Sequence, residues 1–152
     1  MCGSHDDGRL KREQDFYDRE AASTRIKSTD VIGFMKGATS PENRFILDHL
    51  GDVRGKKILE LGCGHGEASI YFAMQGADCI ATDGSPAMLG FVHELAAQYG
   101  VQIETRAMDA SAIDCPDNTF DIVYAANTLH HTQPEIVLQE MYRVVKPGGK
   151  VC

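Results

Sequence analysis

The stretch Lys57-Ile58-Leu59-Glu60-Leu61-Gly62-Cys63-Gly64-His65-Gly66-Glu67 decides the fold. Its first five residues are a short apolar run of the kind that forms a buried strand. Three glycines in five positions then make a turn, and residues 67–75 read as a helix that Gly76 closes. A strand, a glycine turn and a helix in that order are the first half of a βαβ unit.

The same alternation continues downstream. Residues 78–82 form a second apolar run. Ser85-Pro86 is a helix start, with the cap and the first-turn proline adjacent, and the helix runs to Tyr99 before Gly100. Residues 101–107 read as a third strand, 109–118 as a loop and 120–126 as a fourth strand. Residues 134–145 read as a helix with Ile136, Val137, Met141 and Val144 on related faces. Lys146-Pro147-Gly148-Gly149 is a turn, and Lys150-Val151-Cys152 begins a fifth strand. Strands alternating with helices of this length predict an α/β fold around a parallel sheet.

Upstream, the character changes. Residues 1–53 are polar with helical signals, so they are expected to form a helical cap or lid beside a core of residues 54–152. The spacing predicts a helix over 11–22, with Phe16 and Tyr17 as apolar contacts, and a weaker one over 30–35. Ser40-Pro41-Glu42 starts a third helix, in which Phe45, Ile46, His49 and Leu50 recur at helical spacing and which Gly51 ends.

The chain has 152 residues, enough for one sizeable core. Its 43% hydrophobic and 24% charged residues are ordinary for a globular protein. No apolar run approaches the roughly 20 residues of a membrane span. The first twenty residues are too polar for a secretory signal, so a cytoplasmic location is expected. The five cysteines are scattered, without Cys-x-x-Cys pairs or zinc spacing, which predicts free thiols and no metal site. A net charge of −7 is a poor start for displacing counterions from nucleic acid and favours a small-molecule substrate.

The glycine turn narrows the ligand. In open α/β sheets ligands bind beyond the carboxyl ends of the strands, where residues without side chains admit close approach. A dinucleotide fingerprint, Gly-x-Gly-x-x-Gly, requires Gly or Ala at position 67, but the residue is Glu67. A carboxylate there repels a pyrophosphate at the helix N-terminus. A nucleotide-dependent oxidoreductase is thereby disfavoured, and a phosphate-free nucleoside such as S-adenosylmethionine is favoured. Three acids at successive strand ends suit such a cation-bearing ligand. Glu60 is expected to face the positive end of the methionine part. Asp83 is expected to accept from the ribose hydroxyls. Asp109 is expected to accept from the adenine amino group, with the Ala110 N–H donating to the ring.

With these residues in place the chain resembles the class I methyltransferases, and among them the type 11 family of small-molecule methyltransferases. The resemblance spans residues 56–152. It rests on the 58–66 loop, Ala81-Thr82-Asp83-Gly84-Ser85-Pro86-Ala87-Met88-Leu89, Met108-Asp109-Ala110, Asp117-Asn118-Thr119-Phe120-Asp121-Ile122-Val123, Leu129-His130-His131 and Val144-Val145-Lys146-Pro147-Gly148-Gly149. It implies a Rossmann-like three-layer α/β/α sandwich with a mostly parallel sheet in the order 3-2-1-4-5. It implies that the Gly62–Gly66 loop, through Gly62, Cys63 and Gly64, wraps the methionine part, that Asp83 holds the ribose, that Asp109 with Ala110 holds the adenine, and that Gly84 also binds the cofactor. Met88 would pack near the nucleoside, Asn127 would stand at the mouth, and Tyr17 would cover the cofactor from an N-terminal helix. S-adenosylhomocysteine would be the product.

His65 departs from the small or hydroxyl residue usual at its loop position. The family's sheet also continues through two further strands that this chain does not reach. Either the chain is a fragment of a longer gene product, or the edge is completed by a partner, which allows a homo-oligomer. Two roles follow: methyl transfer to a small molecule, or a non-catalytic module that binds S-adenosylmethionine. If the acceptor needs a base, His130 and His131 are the candidates by position.

Overall fold

The structure, a computed structural model, describes residues 7–23, 29–38, 40–126 and 128–152. Five parallel strands lie in the order β3-β2-β1-β4-β5. They are β1 (Lys57–Leu61), β2 (Asp78–Asp83), β3 (Glu104–Ala107), β4 (Phe120–Tyr124) and β5 (Val145–Val151). Helices α1 (Asp7–Ser23), α2 (Val31–Lys36) and α3 (Pro41–Leu50) precede the sheet, and α4 (Glu67–Met74), α5 (Pro86–Tyr99) and α6 (Pro134–Val144) connect its strands. A one-turn 3₁₀ helix, Leu129–His131, follows β4. This is the expected Rossmann-like order.

Side chains alternate across the strands and so divide the core. Ile58, Cys79, Ile122 and Tyr124 face a cluster with Val31 and Met35 of α2, Ile70, Tyr71 and Phe72 of α4, and Leu95 of α5. Leu59, Leu61, Ile80 and Val123 face the opposite cluster with Val137, Met141 and Val144 of α6. Both faces of the sheet are covered, which is why β1 and β4 read as continuous apolar runs. Phe72 and Tyr124 meet edge to face at 5.5 Å between ring centroids.

Polar ties hold the connections. Asp121 on β4 accepts from the backbone N–H of Lys57 at 2.8 Å and pairs with Lys146 Nζ at 2.9 Å, which keeps its carboxyl below the ordinary carboxylate value. Arg143 on α6 donates to the carbonyls of Cys115 and Ile113 and to Glu140 and Asp117, pinning the long loop before β4.

Several boundaries differ from the expectation. α1 starts earlier, at Asp7. β3 starts at Glu104, because Val101 N–H still bonds to the Ala96 carbonyl as part of the preceding helix end. α6 stops at Val144, and Val145 is already paired with Phe120, so β5 begins before the Lys146–Gly149 turn and carries it as an irregularity. Phe16, expected as an apolar contact, is 61% exposed, and Phe45, read at helical spacing on α3, is 74% exposed. His49 is exposed too, and on α3 the contacts to the core come from Leu50, Ile46 and Leu47. Among the described residues, no helix is long and apolar enough to cross a membrane.

Candidate functional site

The carboxyl ends of β1, β2, β3 and β4 open on a cleft of about 570 Å³. Its floor starts at the β1–α4 turn. Gly62 has a φ of 63°, and a Cβ built there would meet Thr128 Oγ1 at 2.3 Å. A side chain at that position is excluded twice, by backbone conformation and by the threonine that packs over it. Thr128 uses the space: its hydroxyl lies 3.0 Å from the Leu61 carbonyl, tying the segment after β4 onto the end of β1. Gly64 differs, since nothing lies within 4 Å of a Cβ built on it. Both glycines line the cleft.

Asp83 fastens the turn. Its Oδ2 accepts from the Gly64 N–H at 3.0 Å and its Oδ1 from the Ser85 N–H at 2.8 Å. Burial raises its pKa above the ordinary value, and these two hydrogen bonds work against that rise. Asp109 stands at the end of β3 on the same cleft, where its Oδ1 accepts from the N–H and the hydroxyl of Ser111, each at 2.8 Å. Gly84, Met88 and Ala110 line the cleft with them. Met88 is buried, and Ala107, Met108 and Ala126 add apolar wall.

The roof is α1, which presents Gln14, Tyr17 and Glu20 to the cleft at helical spacing of three. Tyr17 is half-buried and meets the ring of Phe16 edge-on at 5.3 Å. Next to it, Asp18 accepts a hydrogen bond from the Ser85 hydroxyl at the start of α5.

Three of the expected residues are elsewhere. Glu60 does not line the cleft. The period of two along β1 puts it on the same face as Ile58, under α4. There it is 4% exposed and accepts from the Ser69 N–H at 3.0 Å and from the Ser69 hydroxyl. It satisfies the first turn of α4 from below. Burial pushes its carboxyl up to about 7 against these bonds, with Glu67 and Asp83 adding to the rise.

Cys63 does not line the cleft either. It is buried with Ala81, Leu89 and Val92, because the turn that opens its glycine neighbours to the cleft rotates it inward. Burial holds its thiol well above the ordinary value. His130 is exposed and away from the cleft, since the 3₁₀ turn packs Leu129 inward on the α6 side. The His131 side chain and Asn127 lie outside the described residues.

His65 lines the cleft and packs edge-on against Phe91 at 5.2 Å, with Nδ1 3.8 Å from Glu67. Its Nε2 is buried and makes no hydrogen bond among the described residues. Thr128, Thr132, Ser85, Gln14 and Glu20 are site residues that the sequence reading did not single out. Gln14 and Glu20 were within reach of it, as the helical neighbours of Tyr17. Thr128 was not, because its role depends on how the chain returns over Gly62.

Comparison with known proteins gives a consistent family. A family model described as a methyltransferase domain matches residues 58–149. The chain is similar to phosphoethanolamine N-methyltransferase 3 of Arabidopsis thaliana, 33% identical over 121 residues that cover 78% of this chain and 25% of the relative. It is similar to the ubiquinone biosynthesis O-methyltransferase of Pseudomonas putida (strain GB-1), 36% identical over 110 residues that cover 69% of this chain and 46% of the relative. The chain therefore spans a quarter to a half of the length of these curated relatives. The fold matches phosphoethanolamine N-methyltransferase 1 of Haemonchus contortus, solved with phosphoethanolamine and S-adenosylhomocysteine, with a TM-score of 0.71 at 18% identity. That match covers 94% of this chain and 31% of the other.

Proposed function

This chain belongs to the methyltransferase domain family, and we propose that it binds S-adenosylmethionine in the cleft and transfers its methyl group to a small-molecule acceptor. The observation that carries the reading is the meeting of Gly62, Gly64, Asp83 and Asp109 on one cleft.

The residues present fit the ligand. Open space beside Gly64 and Gly84, where a Cβ would have no neighbour within 4 Å, leaves room for a chain laid along the backbone. Asp83 keeps lone pairs for two ribose hydroxyls beyond those given to Gly64 and Ser85. Asp109 and the Ala110 N–H hold the adenine edge, and Met88 packs against the nucleoside. Tyr17 covers the cleft from α1, which is the part of the 1–53 region that acts as its cap. Gly62 and Gly64 border the methionine part through their backbone. Cys63 contributes its backbone alone, and Glu60 acts at one remove, by holding the first turn of α4.

Charge favours the same ligand. Glu67 opens α4, and Asp83, Asp109 and Glu20 line the cleft, so a pyrophosphate would meet a ring of acids and a sulfonium would be attracted. When bound, S-adenosylmethionine supplies an activated methyl carbon. The protein's task is then to hold an acceptor atom in line with that carbon and to keep water out. Ala126, Thr128 and Thr132, from the stretch after β4, line the cleft, and Asn127 is our candidate contact for the acceptor. His131 is the remaining histidine candidate for a base. Acidic balance speaks for a small-molecule acceptor over nucleic acid. A reducing, cytoplasmic compartment suits Cys63, Cys79, Cys115 and Cys152, all free of disulfides.

Calorimetry with S-adenosylmethionine, S-adenosylhomocysteine and NADH tests the cofactor, and preference for NADH would overturn the reading. Turnover of a methyl-labelled donor over a panel of small phenols, amines and quinols tests transfer. Binding without turnover on any member would reduce the chain to a binding module.

A further inference from the structure

Ser85 is 1% exposed, and its hydroxyl has two obligations. As the N-cap of α5 it accepts from the Met88 N–H at 3.3 Å. Its proton is given to Asp18 of α1. Its own N–H goes to Asp83 Oδ1, and the other oxygen of Asp83 holds Gly64. One buried serine thus joins the roof, the helix start and the cleft floor, in the chain Asp18–Ser85–Asp83–Gly64.

We propose that Asp18 is a positioning residue that seats α1 over the cleft, and that Ser85 couples this seat to occupancy of the cleft. A buried hydroxyl proton without an acceptor is unfavourable, so the serine holds the helix in place. Seating α1 through Asp18 turns Tyr17, one residue away, and Gln14, one turn earlier, toward the cleft. The seat also brings a second carboxylate near Asp83, and Asp18 is among the charges that raise the pKa of Asp83. A ligand whose hydroxyls donate to Asp83 spreads that negative charge over more donors. It thereby eases the approach of Asp18 and tightens the seat. Asp18 touches no reacting atom in this scheme. It acts through α1 and Ser85.

The seat itself can be tested without any ligand, while the coupling rests on the cofactor reading above. Amide hydrogen exchange of the whole chain is compared for the wild type, Asp18→Ala and Asp18→Asn, with and without S-adenosylhomocysteine. In Asp18→Ala the amides of residues 14–20 are expected to exchange about tenfold faster, with β1 and β4 unchanged as evidence of an intact fold. Asp18→Asn keeps an acceptor oxygen and is expected to retain most of the protection. The ligand should add protection to α1 in the wild type and not in Asp18→Ala, whose dissociation rate should rise about tenfold. Unchanged exchange of α1 in Asp18→Ala, or an Asn variant that exchanges like the alanine one, would overturn the seat. A wild-type dissociation rate in Asp18→Ala would overturn the coupling. If the wild type binds no S-adenosylhomocysteine, the cofactor reading fails, and the exchange of the ligand-free variants still decides the seat.

Discussion

The floor and the roof of the cleft are built differently. The floor is a set of strand ends. Gly62 follows β1, Asp83 ends β2 and Asp109 follows β3, strands whose register is fixed by backbone hydrogen bonds and by a core on both faces of the sheet. The roof is a helix with a wet face. α1 exposes Phe16, reaches the cleft through Gln14, Tyr17 and Glu20, and meets α5 at Ser85 through Asp18. A parallel sheet positions ligand-binding groups as a by-product of folding. A helix on the rim is positioned by individual side chains, and each can be tuned without unfolding the rest.

The sharpest way to break this contrast is to damage each part and read stability. Leu61→Ala, in the fully buried end of β1, should cost about 2–5 kcal/mol in a denaturant titration. A loss below 1 kcal/mol would mean that the floor is not held by its core.

Glu60 gives the next largest effect. Its carboxyl is raised from 4.5 to about 7 in the folded chain. The folded state therefore binds the proton more tightly than the unfolded state. Stability from this group is full below about pH 4.5, declines as pH rises, and reaches its floor above about pH 7. Glu60→Gln keeps an acceptor for Ser69 and removes the titration. The stability difference, variant minus wild type, should grow by on the order of 2 kcal/mol between pH 4.5 and 7. A flat difference would show that Glu60 is not buried beneath α4 as described.

Asp83→Ala should weaken S-adenosylmethionine binding by about 1–3 kcal/mol, since the proposed ribose acceptor and the fastening of Gly64 are lost together. Calorimetry reads this directly, and unchanged affinity would remove Asp83 from the site. At the small end, Phe16→Ser on the exposed face of α1 should alter stability by no more than about 0.5 kcal/mol. A larger loss would give the roof a core of its own and erase the contrast with the floor.

Much of this was legible in the sequence, and unevenly so. The apolar run of Lys57–Leu61, the glycines after it and the Ser85-Pro86 helix start named the elements that the structure holds, because each signal is local. Asp83 and Asp109 were read as strand-end acids and do line one cleft. Glu60 was read in the same way, yet the alternation along β1 turns it beneath α4. Cys63 and Gly64 were read alike as loop residues, yet one faces the core and the other the cleft. The 145–151 segment was divided among helix end, turn and strand, because its pairing with β4 depends on residues 25 to 28 positions earlier.

By itself the sequence determined the α/β class, the strand-by-strand alternation, the side-chain-free turn and the acids at the strand ends. All of these follow from periodicity and from backbone preferences that act over a few residues. Only the tertiary structure decided which of those acids share the cleft, that Thr128 occupies the space left by Gly62, and that Ser85 joins Asp18 to Asp83. The contacts that decide them, Asp83 to Gly64, Thr128 to Leu61 and Ser85 to Asp18, join groups 19 to 67 positions apart. Their existence depends on the packed geometry of the sheet, which no local pattern encodes.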